Sequence, residues 1–262
     1  MIGVVIIMIP IIDENNFNNL SEIINSHGFF YAKYSSEDAE IINKSLEQAK
    51  QYFSQDISTK SKNAINIIDN EYFGYRPLKK INLDNSDIIK YSETYNYRPG
   101  KTQYEINKIY DKCYNIMLKY ATKILDQILK TLNVTEKYDN HNTLYLIHYP
   151  ENNSNERLGV PEHSDWGFLT LLVTTEEGLQ IKTNDEWINV PIIENHFIVN
   201  IADMLELLSG GSLKSSKHRV ITKKEKYSMA FFFDPSPDTQ IGNIKYNDYL
   251  RLKSNVFYNE SF

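Results

Sequence analysis

Val160-Pro161-Glu162-His163-Ser164-Asp165-Trp166-Gly167-Phe168-Leu169-Thr170-Leu171-Leu172 is the stretch on which the reading of the whole chain turns. His163 and Asp165 stand two residues apart, so on an extended strand their side chains leave the same face. A second histidine, His218, closes the run Lys214-Ser215-Ser216-Lys217-His218-Arg219-Val220. Apolar β-type segments follow both, at residues 168–173 and 227–233. Taken alone, a His-x-Asp pair is more often a surface pair or a satisfied polar contact. If two strands of one sheet or barrel bring the three groups together, two imidazoles and one carboxylate can occupy one face of an octahedral metal and leave three positions open.

Bulk properties narrow the classes. The 262 residues are enough for one large β-sandwich or barrel with a proper core, or for two small domains. Lys and Arg number 28 against 34 Asp and Glu, a formal charge of −6 with no basic stripe, so nucleic acid is not the expected partner. Cys113 is the only cysteine, which rules out an intrachain disulfide and points to a reducing compartment. The apolar residues 1–12 have no Lys or Arg before them, no small-residue cleavage site after them, and fall short of the about twenty needed to span a bilayer. Residues 4–12 are expected to form a buried strand, and the protein to be soluble and cytoplasmic, with no membrane partner.

Taken in order, Asp13 caps an expected first helix that turns Leu20, Ile23 and Ile24 inward and stops at His27-Gly28. Phe29-Phe30-Tyr31-Ala32 is a short strand. Ser35 or Ser36 caps a helix with Ile41, Ile42, Leu46, Ala49 and Phe53 at helical spacing. Residues 63–100, rich in Asn, Asp and Tyr, are expected to be loops. Two aromatic-and-arginine segments within them, Tyr72-Phe73-Gly74-Tyr75-Arg76-Pro77 and Tyr95-Asn96-Tyr97-Arg98-Pro99, either line a pocket or anchor the loops. A long helix over about residues 102–132 carries a core stripe that includes Cys113, Met117, Ala121, Ile124 and Ile128. Short strands then recur over residues 144–149, 178–182, 187–190, 196–201 and 227–233. The pattern suggests a mainly β, α+β chain: an eight-stranded jelly roll with flanking helices. One domain over 1–262 is expected, with a helical N-terminal part at 1–135 and a jelly-roll core at 140–237.

An ordered set of short motifs accompanies these elements: Ile9-Pro10-Ile11-Ile12-Asp13, Gly28-Phe29-Phe30, Gly74-Tyr75, His148-Tyr149-Pro150, His163-Ser164-Asp165, Gly178-Leu179-Gln180, Trp187, Asn200-Ile201-Ala202-Asp203, Ser215 with His218-Arg219-Val220, and Ser228 before the last Phe run. Each piece is weak, but the set in this order is specific. The chain thereby resembles the Fe(II)- and 2-oxoglutarate-dependent oxygenases of the isopenicillin N synthase-like superfamily. The resemblance implies a double-stranded β-helix, cupin-like, with a metal at one open end. It puts His163, Asp165 and His218 on iron, and these donor types suit Fe(II). It also implies 2-oxoglutarate as cosubstrate, whose far carboxylate must be paired inside a partly dry barrel because an unpaired buried charge is expensive.

Most relatives place an Arg two residues before the Ser of that strand; here the matching residue is Lys226. Lys226, Ser228 and Ala230 alternate onto one strand face, and a lysine can hold a carboxylate as a point charge without the bidentate fork of arginine. The plainer alternative is a solvated hairpin lysine like Lys223 and Lys224. Tyr149 matches a position that often assists the cosubstrate, or is a core tyrosine. Tyr145 stands where many relatives carry a basic residue, which leaves the substrate unspecified. Arg219 is expected in a structural ion pair, and His141, His148 and His196 as satisfied structural histidines. The implied function is oxidation, foremost hydroxylation, of a C–H bond in a small organic substrate, with 2-oxoglutarate and O2 as co-reactants and succinate and CO2 released. Two alternatives stand beside it: an iron oxidase of the same fold that does not use 2-oxoglutarate, and a silent jelly-roll binding protein.

Overall fold

A computed structural model describes residues 9–13, 28–64, 66–68, 71–78, 91–101, 107–151 and 157–258. Chain order is β1 (Ile11–Ile12), β2 (Phe29–Lys33), α1 (Ser36–Phe53), α2 (Ile57–Ser61), β3 (Asn66–Ile68), β4 (Glu71–Arg76), β5 (Glu93–Tyr97), α3 (Asn107–Thr131), β6 (Thr143–Tyr149), β7 (Arg157–His163), β8 (Leu169–Thr174), β9 (Leu179–Thr183), β10 (Glu186–Asn189), β11 (His196–Ile201), α4 (Asp203–Leu208), β12 (His218–Thr222), β13 (Lys226–Phe233), β14 (Gln240–Ile241), β15 (Ile244–Lys245) and α5 (Tyr246–Tyr258). The expected first helix and residues 4–8 of the expected first strand lie outside the described residues, as do residues 102–106 of the long helix.

Local chemistry sets the helix ends. Ser35 is the cap of α1: its side chain accepts from the Asp38 N–H, and Glu37 and Asp38 sit in the first turn where the helix dipole favours anions. The apolar stripe of α3 (Cys113, Met117, Ala121, Ile124 and Ile128) is fully buried. Among the described residues no helix is long and apolar enough to cross a membrane.

The strands form a nine-stranded sheet in the order β1-β2-β11-β8-β13-β6-β5-β4-β3 and a four-stranded sheet in the order β10-β9-β12-β7. Pairing is antiparallel throughout except for β1 beside β2. Alternation gives the large sheet two unlike faces. One face, with Leu144, Leu146, Leu171, Met229, Phe231 and Phe233, packs under α1 and α3 in the main core. Each of these large apolar side chains contributes roughly 1.5–3 kcal/mol by leaving water. The other face meets the small sheet, where Phe29, Tyr31, Tyr149 and Ile198 pack against Leu179, Ile181 and Val220. This second, inner layer is where the site lies.

Residues 63–100 depart from the loop expectation. Tyr72 to Arg76 and Tyr95 to Tyr97 belong to β4 and β5, which widen the large sheet beyond the eight strands expected. Polar groups that these strands carry into the helix-side layer are paired. Lys60 Nζ lies 2.8 Å from Glu93 Oε2, and His148 bridges Glu93 (2.7 Å) and Glu225 (3.1 Å) while stacking on Tyr227. His148 is thus the satisfied structural histidine expected.

Gly28 opens β2 with φ +76, and a Cβ there would sit 2.0 Å from the Lys214 carbonyl oxygen, on the segment leading to His218. Gly28→Ala combines left-handed strain with a backbone clash. It should lower the urea unfolding free energy by at least about 2 kcal/mol; a urea midpoint equal to wild type would contradict the packing described.

Candidate metal and cosubstrate site

Antiparallel pairing of β7 with β12 sets His163 directly opposite His218. The two rings approach to 4.2 Å between centroids, and Phe29 supports His218 edge-on at 5.7 Å. Asp165 reaches the same point from the loop after β7, not from the strand itself, so the same-face argument from an extended strand does not hold for it. The loop brings it in: Thr170 Oγ1 and Asn200 Nδ2 donate to Asp165 Oδ2 at 2.5 and 2.7 Å and aim the carboxylate.

With Oδ2 saturated, Oδ1 faces the imidazoles, 3.6 Å from His163 Nε2 and 3.7 Å from His218 Nε2. These separations are too long for hydrogen bonds and suit three donors around a common centre. The other ring nitrogens are engaged by backbone carbonyls: His163 Nδ1 lies 2.8 Å from Pro161 O and His218 Nδ1 lies 3.1 Å from Ser216 O. Carbonyls only accept, so each Nδ1 carries the proton and each Nε2 presents its lone pair to the centre. One ligand atom from each residue lies within 4.8 Å of the others. Burial pushes the Asp165 carboxyl up, but the attraction of His218 and His163 in their charged form, a place a metal cation would take, with the bonds from Thr170 and Asn200, outweighs it and holds it below the usual carboxylate range. A charged carboxylate oxygen and two imidazole lone pairs, pre-aimed and with no protein proton between them, fit a divalent metal such as Fe(II).

On the same inner face, β13 presents Lys226, Ser228 and Ala230, opposite Tyr149, Ile147 and Tyr145 of β6. Lys226 is 2% exposed, which disposes of the solvated-hairpin alternative. Among the described residues its ammonium has one weak donor contact, 3.4 Å to the Glu177 carbonyl, and lies 5.6 Å from the Tyr149 ring centre. No carboxylate among the described residues comes within ion-pair distance of it. Burial therefore pulls its pKa down to about 8, only partly countered by Glu176. Ser228 Oγ donates to Thr174 Oγ1 at 2.9 Å, and Tyr149 is buried with its phenol pushed up by desolvation. Beyond Ser228, Tyr145, Ile147, Leu172 and Phe232 stay partly exposed although they face inward, so solvent reaches that part of the inner layer.

Of the other residues singled out, Arg219 bonds Gln180 (2.8 Å) and lies over Trp187 (4.1 Å), where an ion pair was expected. His196 turns Nδ1 to the Glu194 carbonyl and His141 faces Arg98, both away from the triad. Sequence reasoning gave no role to Thr170, Asn200 and Asp203. Asn200 and Asp203 stood in a noted motif, but which atoms they touch depends on long-range folding.

Residues 140–235 match the family described as the 2OG-Fe(II) oxygenase superfamily, and residues 10–115 match the non-haem dioxygenase in morphine synthesis N-terminal family. A 1-aminocyclopropane-1-carboxylate oxidase of Dictyostelium mucoroides is 28% identical, with 87% of this chain and 82% of the relative covered. Among solved structures, a 2OG-Fe(II) oxygenase family protein of Caulobacter crescentus superposes with a TM-score of 0.80 at 22% identity, covering 95% of this chain and 99% of that one. The Arabidopsis thaliana dioxygenase for auxin oxidation 1, in complex with 2-oxoglutarate, gives 0.68 at 22% identity over 89% and 95%.

If the three donors share one ion, anaerobic addition of Fe(II) or Co(II) should raise the melting temperature of the wild-type chain. Metal at a hundred times its dissociation constant adds about 2.7 kcal/mol. His218→Ala should abolish the shift; an equal shift in that variant would remove His218 from the centre.

Proposed function

Because the chain belongs to the 2OG-Fe(II) oxygenase superfamily, we propose that His163, Asp165 and His218 hold its Fe(II) and that Lys226, with Ser228 and Tyr149, takes the far carboxylate of 2-oxoglutarate. The protein is a non-haem Fe(II)- and 2-oxoglutarate-dependent dioxygenase, an oxidoreductase with 2-oxoglutarate, O2 and a small organic substrate as co-reactants. In this reading one oxygen atom of O2 enters succinate, formed from 2-oxoglutarate with loss of CO2, and the other enters a C–H bond of the substrate as a hydroxyl group.

The observation that carries the cosubstrate assignment is the buried, under-bonded ammonium of Lys226. A cation kept out of water without a counter-charge is costly, and a carboxylate delivered by a ligand removes that cost. Ser228 stands two residues on along the same face to add a hydroxyl donor, and the Tyr149 ring packs beside the ammonium. Bound Fe(II) would supply the dioxygen chemistry that no side chain provides. The chain's own groups do the rest: Thr170 and Asn200 fix the Asp165 carboxylate, the Pro161 and Ser216 carbonyls fix the imidazole tautomers, and the buried inner layer keeps water from the cosubstrate. The partly exposed apolar and aromatic group of Tyr145, Ile147, Leu172 and Phe232 supports a small, largely apolar substrate portion beside the metal. Residues 1–262 are read as one domain, with 140–237 the catalytic core and 1–135 a helical part that also carries the outer strands β1 to β5, and the single buried cysteine supports a cytoplasmic setting.

Succinate formation should require added 2-oxoglutarate and Fe(II); substrate oxidation that proceeds without 2-oxoglutarate would favour an iron oxidase of this fold. The KM for 2-oxoglutarate should be flat below about pH 8 and climb above it, as Lys226 loses its proton. Lys226→Met should raise that KM at least about thirtyfold, the loss expected for one partner of a buried charge pair. The same variant should stabilise the ligand-free protein. Because the folded-state pKa is depressed, the gain is full below about pH 8, on the order of 3 kcal/mol, and fades as pH rises to the ordinary lysine value. An unchanged KM would remove Lys226 from the cosubstrate site.

A further inference from the structure

Asp203, the first residue of α4, is engaged by three separate parts of the chain. Its Oδ1 accepts from Ser215 Oγ at 2.6 Å, three residues before His218. Its Oδ2 accepts from Ser164 Oγ at 3.1 Å, the residue between His163 and Asp165. The same oxygen accepts from Tyr249 Oη at 2.5 Å and lies 3.0 Å from Lys253 Nζ, both on α5. The backbone adds a further tie, from Asp203 N–H to the Asp165 carbonyl at 2.9 Å. Lys253 Nζ itself reaches to 3.5 Å from Ser164 Oγ, so α5 lies directly against the metal loop. One carboxylate therefore joins both ligand-bearing segments to the C-terminal helix.

The position has a physical consequence. Tyr249 and Lys253 are held by a charge-assisted acceptor that also fixes Ser164 and Ser215, so α5 cannot lift from the metal loop without loosening what orients the ligands. Resting on the assignment of the triad to Fe(II), we propose that Asp203 is a positioning residue that couples docking of α5 to metal binding, so that the helix closes over the metal loop when the ion is held and is released more readily when it is not. Such coupling is reciprocal: whatever factor the docked helix adds to metal affinity, metal binding adds to helix docking. Asp203 touches neither ion nor cosubstrate in this scheme; it acts through Ser164 and Ser215.

The full-length chain, stripped of metal, is titrated with Co(II) while its visible absorption is followed, and amide exchange of residues 246–253 is measured with and without Co(II). In the wild type Co(II) should slow exchange in that segment. A Tyr249→Phe/Lys253→Met double variant, which leaves the Ser164 and Ser215 contacts of Asp203 in place, should bind Co(II) about fivefold more weakly and lose most of the metal-dependent protection. Asp203→Asn should weaken Co(II) binding about tenfold or more and alter the Co(II) absorption bands. Unchanged Co(II) affinity in the double variant, or exchange in residues 246–253 that is indifferent to Co(II) in the wild type, overturns the coupling while leaving the metal site standing. A wild type that takes up no Co(II) overturns the triad assignment and the coupling with it.

Discussion

The division of labour on the Asp165 carboxylate is the constraint on which the site depends. A buried carboxylate needs donors, and here Thr170 and Asn200 satisfy one oxygen completely while the other is left to face two imidazole lone pairs. Three electron-rich atoms crowded together in a buried place repel one another unless a positive charge lies between them. The surrounding structure can be read as what holds them there. Strand pairing fixes the histidines, two carbonyls fix their tautomers, and a loop anchored by α4 fixes the aspartate.

The fold explains why the metal-donor and ammonium ends of the site are separate. The large sheet spends its outer face on the helices, through residues such as Met229 and Phe231, and its inner face on the small sheet. Successive residues of β13 alternate between those faces, so Tyr227 joins the His148 network outside while Lys226 and Ser228 point inside. The candidate metal donors, one carboxylate and two imidazole lone pairs, lie on the loop after β7 and on β7 and β12, and the ammonium lies on β13. With Fe(II) on its one carboxylate and two neutral imidazoles the metal end would carry a net positive charge, so an elongated dianion spanning that end and the Lys226 ammonium would balance both at once.

Much of this was legible in the chain and some was not, for physical reasons. His163, Asp165 and His218 carried a donor pattern tied to β-type runs, and the alternation of Lys226 with Ser228 fixed their common face. The cap at Ser35 or Ser36, the α3 stripe and strands β6, β9, β10, β11 and β13 followed from local pattern, whereas β12 (His218–Thr222) was not among the strands expected. By contrast β4 and β5 read as loops because Glu93, Asn96 and several tyrosines break the usual apolar alternation; Glu93 is buried only because Lys60, Tyr75 and His148 meet it there. The body of β7 was hidden by Gly159 and Pro161, yet Gly159 is required where the Tyr149 ring passes, since a Cβ would sit 2.7 Å from it. Thr170 lies only five residues after Asp165, but Asn200 and the partners of Asp203 come from farther along the chain, and no local pattern announces which donor will meet which carboxylate.

The site works as proposed if three side chains share one ion and leave room for a keto acid anchored on Lys226. An anaerobic crystal grown with Fe(II) and 2-oxoglutarate tests it most directly. One metal should be bound by His163 Nε2, Asp165 Oδ1 and His218 Nε2, with the far carboxylate of the keto acid on Lys226 Nζ. A metal bound elsewhere, or 2-oxoglutarate lying away from a still-unpaired Lys226, would contradict it.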